Sequence, residues 1–227
     1  MSVVNVAYRP DAVWFLTDTM VYEDGAPAGL TDTKAHIADG GRFAFTTRGN
    51  VMLGDALDDL LAEQPSVDEA VEVAVAFFET LPDVVREKLL GYSFDATIGG
   101  WSARHDDLRV AFLYLRPGHP VETRWLPHGV HLYPAPANAP ALPAIVTEAQ
   151  MIKLALVQHR IQERLDDLGI GRMCIGGVMH LTTVDHHGAS QRLIATYPDY
   201  DRHAEDLGDP NADDVAAFRQ MSERTAA

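Results

Sequence analysis

The sequence predicts an α+β fold: a four-layer α–β–β–α sandwich of two mostly antiparallel sheets flanked by helices. Three observations predict it. Strand-like runs follow one another through short turns, which favours antiparallel pairing. Helical periodicity arrives in blocks between groups of strands, not in alternation with single strands. The 227 residues, 47% hydrophobic and 22% charged, suffice for one substantial core. A two-layer sheet with helices on one face satisfies the same order and is the competing arrangement.

The first 47 residues read as β. "VVNVAY" and "AVWFLT" are β-branched and aromatic runs separated by the turn "RPD". "EDGAPAG" reads as a turn or hairpin tip, and "KAHIAD" and "RFAFTT" flank the turn "GG". "GNVMLGDALDDLLAE" is then a short helix stopped before Pro65. In "SVDEAVEVAVAFFETL" Ser66 and Glu69 form a capping-box pair, and Val67, Val71, Ala74, Val75 and Phe78 make one apolar stripe. "DVVREKLL" is a third helix.

Strands return with "SFDATIGGW" and "DLRVAFLYL", joined by a polar turn. "VETRWLP" and "GVHLYP" are shorter, and either pair or run side by side. "PAPANAPALP" reads as an extended surface loop. "TEAQ", with Thr147 and Gln150, is a second capping box. It opens a long helix with the stripe Leu154, Val157, Ile161, Leu165 and Leu168, stopped by Gly169. "MCIGGVMHLTTV" and "QRLIATYP" close the fold as a hairpin. Residues 1–205 read as one domain, and 206–227 as an acidic C-terminal tail with room for a short helix.

Composition narrows the function classes. Against 18 Lys and Arg stand 33 Asp and Glu, a net charge of −15, and no basic run occurs. A nucleic-acid partner is not expected, because binding phosphates needs clustered cations. No stretch approaches the ~18 apolar residues of a membrane span, and the first residues lack the features of a signal peptide. Cys174 is the only cysteine, so no intramolecular disulfide forms. A cytoplasmic protein without membrane contact is the expectation.

Histidines are frequent. His180, Asp185, His186 and His187 sit in "MHLTTVDHHG", and His128 and His131 in "PHGVH". A metal would need two or three of them to converge. "DHHG" reads first as a polar hairpin tip, and adjacent residues of a strand point to opposite faces. No HExxH, CxxC, GxSxG or Walker loop is present, and no cofactor or metal is expected.

Ser2 stands immediately before the first strand. A serine hydroxyl needs a base to become nucleophilic, and an α-amino group with a pKa of ~7.7–8.0 is suited to that task. With Met1 removed, Ser2 would carry nucleophile and base in one residue. Serine is also a common second residue, so Ser2 alone says little. Asp18 closes the second strand and Lys34 opens the third. Each alone fits a solvated charge at a strand end. Together, a lysine beside the terminal amine would lower the amine's pKa, and a carboxylate would hold the lysine ionised and aimed.

In this set of residues the chain resembles the proteasome-type N-terminal-nucleophile (Ntn) hydrolases, the proteasome β-subunits and their bacterial relatives. Counted from Ser2, Asp18 and Lys34 fall at the spacings that family uses. Gly49, in "FTTRGN", is the nearest match to the family's oxyanion-binding amide, displaced by about one residue. "ATIGGWSARHDDLRVAFLYL" is similar to the family's central hairpin, and "IGGVMHLTTVDHHG" to its later strand after a Gly-Gly. The similarity spreads over residues 2–200.

The resemblance implies the four-layer sandwich and an amide-cleaving hydrolase acting on a peptide or small amide. Ser2 would be the nucleophile, with Asp18, Lys34 and Gly49 as its partners. It also implies a homo-oligomer, a ring or stacked assembly. The chain departs from the family in having Ser for Thr. It also places Arg172 and Ile175 where the family has a supporting Asp and Ser. A catalytically inactive subunit with a structural or assembly role is the alternative.

Overall fold

The turn at 9–11 folds the first two strands onto each other. In a computed structural model, which describes residues 3–23, 26–90, 94–133, 146–167 and 175–226, β1 (Val4–Tyr8) pairs antiparallel with β2 (Ala12–Thr17), Val4 opposite Thr17. β3 (Met20–Glu23) and β4 (Ala26–Leu30) form a separate hairpin. β4 occupies most of the segment expected to be a turn. β5 (Ala35–Ile37) and β6 (Phe43–Arg48) pair as expected.

The helices α1 (Val51–Leu61), α2 (Val67–Thr80) and α3 (Asp83–Leu90) follow as one block. β7 (Phe94–Ser102) and β8 (Asp107–Leu115) form the central hairpin. β9 (Glu122–Trp125) and β10 (Gly129–Tyr133), whose pairing the sequence leaves open, join different sheets: β9 adds to β8 and β10 to β1. The chain changes sheet between them. The proline-rich stretch that follows lies outside the described residues. α4 (Glu148–Asp167) precedes the hairpin of β11 (Val178–Asp185) and β12 (Gly188–Thr196).

Two five-stranded antiparallel sheets result, ordered β10-β1-β2-β11-β12 and β5-β6-β7-β8-β9, with β3-β4 as a third. The fold is therefore mixed α+β, and its layers are consistent with a sandwich. Strand alternation divides the core into three. Val4, Val6, Val13, Phe15, Val110 and Val184 pack between the two large sheets. Phe43, Phe45, Phe94 and Ile98 face the other way, onto Leu57, Val71, Ala74 and Phe78 of α1 and α2. Leu16, Met179 and Leu181 pack on Met151 and Ala155 of α4. The Tyr8 hydroxyl donates to Leu108 O at 2.5 Å, tying one sheet to the other.

Both expected capping boxes are present in modified or full form. Ser66 Oγ accepts from Asp68 N at 3.2 Å, and the Glu69 carboxylate accepts from the Ser66 hydroxyl instead of from its backbone. Thr147 and Gln150 make the reciprocal box: Thr147 N donates to Gln150 Oε1 at 2.8 Å and Gln150 N to Thr147 Oγ1 at 3.3 Å.

The α4 stripe is a correction. Its buried residues are Met151, Ala155, Gln158, His159 and Gln162, while Val157 is exposed. The helix is turned so that a largely polar face meets the sheet. One of its polar groups is bonded to the sheet: Asn5 Nδ2, on β1, donates to Gln158 Oε1 at 2.7 Å. Gly169 and Leu168 lie outside the described residues.

The C-terminal region holds more structure than a short helix. α5 (Tyr200–Leu207) is followed by α6 (Ala212–Ala226), which docks through buried Val215 on Val178 and Tyr200. Among the described residues no helix is long and apolar enough to cross a membrane.

Candidate active site

The start of β1, the end of β2, the start of β5, the end of β6 and the residues before β11 meet at one end of the sandwich. Asp18 leaves β2 there, fully buried. Its Oδ2 receives the Lys34 ammonium at 3.0 Å and Gly176 N at 3.4 Å, and its Oδ1 receives Val3 N at 2.9 Å. Lys34 Nζ also donates to Met20 O at 2.5 Å. Burial holds the Asp18 carboxyl above its usual value, and the Lys34 charge and hydrogen bond and the amides of Val3 and Gly176 offset only part of that rise. With donors on both oxygens and an ammonium in contact, the pair fits the ionised form.

Ser2 lies outside the described residues. Its neighbour Val3 does not, and the bond from Val3 N to Asp18 fastens the beginning of β1 to the ion pair. The structure thus brings Asp18 and Lys34 together, as expected. Gly49 shares their end: the register of Ala35 with Thr46 runs the last residues of β6 alongside the segment that carries Lys34. Gly49 is exposed, has φ 125° and directly precedes Asn50, whose side chain caps α1. That backbone region favours glycine.

Several residues that the sequence reading passed over hold this end in shape. Thr19 N and Met20 N both donate to Gly176 O, at 3.3 and 3.2 Å, and Thr19 Oγ1 accepts from Val178 N at 3.0 Å. Gly177 has φ 81°, and a Cβ there would lie 2.3 Å from Thr19 Oγ1, so the close approach needs glycine. Gln191 of β12 reaches Thr33 Oγ1 and Ala35 O, at 2.8 and 3.0 Å, on either side of Lys34. Asn211, in the stretch read as a tail, donates from Nδ2 to Thr31 O at 3.1 Å.

Behind Gly176 and Gly177 lies a second polar group. Tyr197 N donates to Gly177 O at 3.0 Å, and the Tyr197 ring stacks on His159, centroids 5.1 Å apart. Asp199 Oδ2 lies 3.2 Å from Nε2 of both His159 and His203. The His159 contact is an ion pair without hydrogen-bond geometry. Burial lowers the His159 pKa, but Asp199, Glu163 and Asp18 outweigh it and hold the imidazole above its usual value. Burial, with Asp18 and Asp199 adding to it, drives Tyr197 far up, so it stays a neutral phenol. No short motif announces this cluster, because α4 and the stretch after β12 supply it from distant parts of the chain.

Of the two positions where the resemblance sought supporting polar residues, Arg172 lies outside the described residues. Ile175 is buried in the apolar cluster against α4.

The histidine-rich strand does not gather a metal site. His180 and the pair His186 and His187 sit at opposite ends of β11, about 20 Å apart at the rise of a strand. Asp185 Oδ1 accepts from His187 N at 2.7 Å and Gly188 N at 3.2 Å, making the polar tip expected of "DHHG". His131 Nε2 lies 2.9 Å from Pro127 O, and the His128 ring 4.2 Å from that of Tyr8. Among the described residues no three His, Cys, Asp or Glu side chains converge as metal ligands. No family model matches the chain, and no curated protein matches it.

Proposed function

We propose that the protein is a proteasome-like Ntn hydrolase that cleaves amide or peptide bonds with Ser2 as nucleophile, once Met1 is removed. The observation that carries the reading is the buried ion pair of Lys34 and Asp18, bonded through Asp18 Oδ1 to Val3 N, one residue from Ser2. Buried ion pairs are costly to build and are a weak source of stability. One fastened to the start of the first strand is suited to tuning what that start carries.

In this reading Ser2 Oγ attacks the substrate carbonyl while the Ser2 amine takes the hydroxyl proton. The C–N bond breaks, the leaving amine departs with that proton, and the acyl group stays on Ser2 as an ester. Water, deprotonated by the same amine, then frees the acid. The Lys34 ammonium lowers the pKa of the amine and stabilises the alkoxide, and Asp18 holds Lys34 in place. The Gly49 amide, ahead of α1, serves the oxyanion. The substrate is a peptide or small amide, the setting cytoplasmic, and the assembly a homo-oligomeric ring or stack.

Ser2→Ala tests this. Hydrolysis of an aminoacyl anilide and covalent labelling of Ser2 by an electrophilic peptide should both be lost. Full activity in that variant overturns the reading, as does Met1 retained quantitatively on protein from its native cell.

A second reading is favoured by Ile175, which is apolar and buried where the family carries a polar support. In it the chain is an inactive subunit of the same fold with a structural role. Absence of labelling on protein whose intact mass shows Met1 removed would select it. Native mass measures the assembly in both cases.

A further inference from the structure

The candidate-site end of the sandwich carries a pocket of about 320 Å³, walled by Arg48, Asp95, Arg116, Glu122 and Arg124 beside the rings of Phe112 and Tyr114. Two links place it next to the site. Arg48 ends β6 and directly precedes Gly49. Its guanidinium lies 5.3 Å from the ring centre of Tyr133, the register partner of Val4 on β1, and Phe112 stacks on that ring at 4.7 Å.

Three guanidinium groups face two carboxylates, so the pocket keeps one positive charge in a protein whose net charge is −15. Glu122 engages both Arg116, at 2.5 Å, and Arg124, at 3.2 Å. Arg48 clasps Asp95 through Nε at 2.9 Å and Nη2 at 2.6 Å, with both side chains 9% exposed. Arg48 Nη1 is buried and has no hydrogen-bond partner among the described residues. A buried guanidinium N–H without an acceptor is costly and is ordinarily satisfied by an oxygen.

We infer that this pocket binds a carboxylate of the substrate, received by Arg48 Nη1 with Arg116 and Arg124 at the rim. The carboxylate is either an acidic side chain or a free chain end, since both present the same planar acceptor to a guanidinium. A single negative charge balances the pocket, and the aromatic rings accept the carbon chain that carries it. The inference rests on the hydrolase reading only in calling the ligand a substrate.

Isothermal titration on the folded Ser2→Ala chain tests the pocket without turnover. Three probes separate the sources: N-acetyl-Ala-Glu-amide, N-acetyl-Ala-Gln as the free acid, and N-acetyl-Ala-Gln-amide. At least one acidic probe should bind about tenfold more tightly than the neutral amide, the size of one charge-assisted hydrogen bond. Which acidic probe gains identifies the source. Arg48→Lys, which keeps the charge and loses the fork, should remove most of that preference. Arg124→Glu, at a rim position 72% exposed, should reduce it several-fold. Equal binding of all three probes overturns the pocket, as does a preference unchanged in both variants. Hydrolysis of neutral anilides by the unmutated chain without an acid preference would sink the pocket and leave the hydrolase. An acid preference with no hydrolysis of any anilide would sink the hydrolase and leave the pocket.

Discussion

The two helix layers cover their sheets with different chemistry. Against the sheet of β5 to β9, α1 and α2 present Leu53, Leu57, Leu61, Val71, Ala74 and Phe78. A buried carboxylate on that side, Asp68, sits in the first turn of α2, where it accepts from Ser102 Oγ at 2.8 Å. Against the other sheet, α4 presents Met151 and Ala155 and then Gln158, His159 and Gln162, all in the middle of its buried face. Apolar layers are held by area removed from water and tolerate small shifts. Polar groups in a dry interface must find particular partners, so they fix alignment at the expense of burial. The polar layer is the one behind β1 and β2, whose ends carry the candidate site. The difference teaches that the half carrying Val3 and Asp18 relies on specific polar contacts, and the half carrying Lys34 and Gly49 on apolar burial.

The largest expected effect is in the apolar layer. Phe78 is fully buried between α2 and Phe94, ring centres 5.4 Å apart. Phe78→Ala should destabilise by about 3–5 kcal/mol through lost burial and a cavity, read from the urea midpoint. A loss under about 1 kcal/mol would mean that this layer is loosely packed and would break the contrast.

Asn5 and Gln158 sharpen the contrast from the polar side. Asn5→Ala should cost about 1–3 kcal/mol, because it removes the buried hydrogen bond to Gln158 Oε1. Asn5→Val combined with Gln158→Leu should recover part of that loss, since both halves of this hydrogen bond are then apolar. If the proposed hydrolase depends on this alignment, the double variant should remain folded and yet lose activity on the anilide. Full activity in it would leave the polar layer without a role in positioning.

A smaller effect appears on titration. Asp199 holds His159 above its usual pKa, and Glu163 and Asp18 contribute. A raised histidine adds stability that is complete below its unfolded value of ~6.5 and is lost as pH rises through the folded value. Burial raises the Asp199 carboxyl, but His159 and His203 outweigh it and set it below its usual value. Its contribution is present above ~3.9 and is lost as pH falls through that lower folded value. The urea midpoint should therefore fall above neutrality, and His159→Gln should flatten that arm. An unchanged slope in the variant would show that His159 does not share charge with Asp199.

The same contrast explains what could be read in the sequence. Strands β1, β2, β6, β7, β8 and β11 announce themselves by β-branched and aromatic runs, and α2 by a stripe that packs where its period puts it. Asp18 and Lys34 stood out as charges at the ends of apolar strands, at spacings from Ser2 that match the family the chain resembles, and the structure brings the two together. β4 was hidden by Gly and Pro, which suit an edge ribbon as well as a turn. Asp199, His159, Tyr197 and Gln191 were hidden because each becomes part of the site only through tertiary contact. Arg48 and Asp95 were hidden likewise, since β6 and β7 are separated by three helices.

α4 shows how periodicity misleads when the buried face is polar. Leu154, Val157 and Ile161 recur at helical spacing, yet Val157 is exposed, and the sheet receives the row one position further on, Ala155, Gln158 and Gln162. Val157→Lys decides between the two faces with the smallest effect of all. On the observed face the ammonium reaches water and Lys replaces a β-branched residue in a helix, so stability should change by no more than about 0.5 kcal/mol. On the face that periodicity alone selects, the same substitution would bury a charge and cost several times that amount. A urea midpoint close to that of the unmutated chain supports the observed orientation, and a large loss would turn α4 back onto its apolar stripe. Should the midpoint hold while the native mass falls to that of a single chain, the face of α4 that carries exposed Val157 would be the one on which copies of the chain assemble. The apolar period would then mark an interface between molecules and not the core within one.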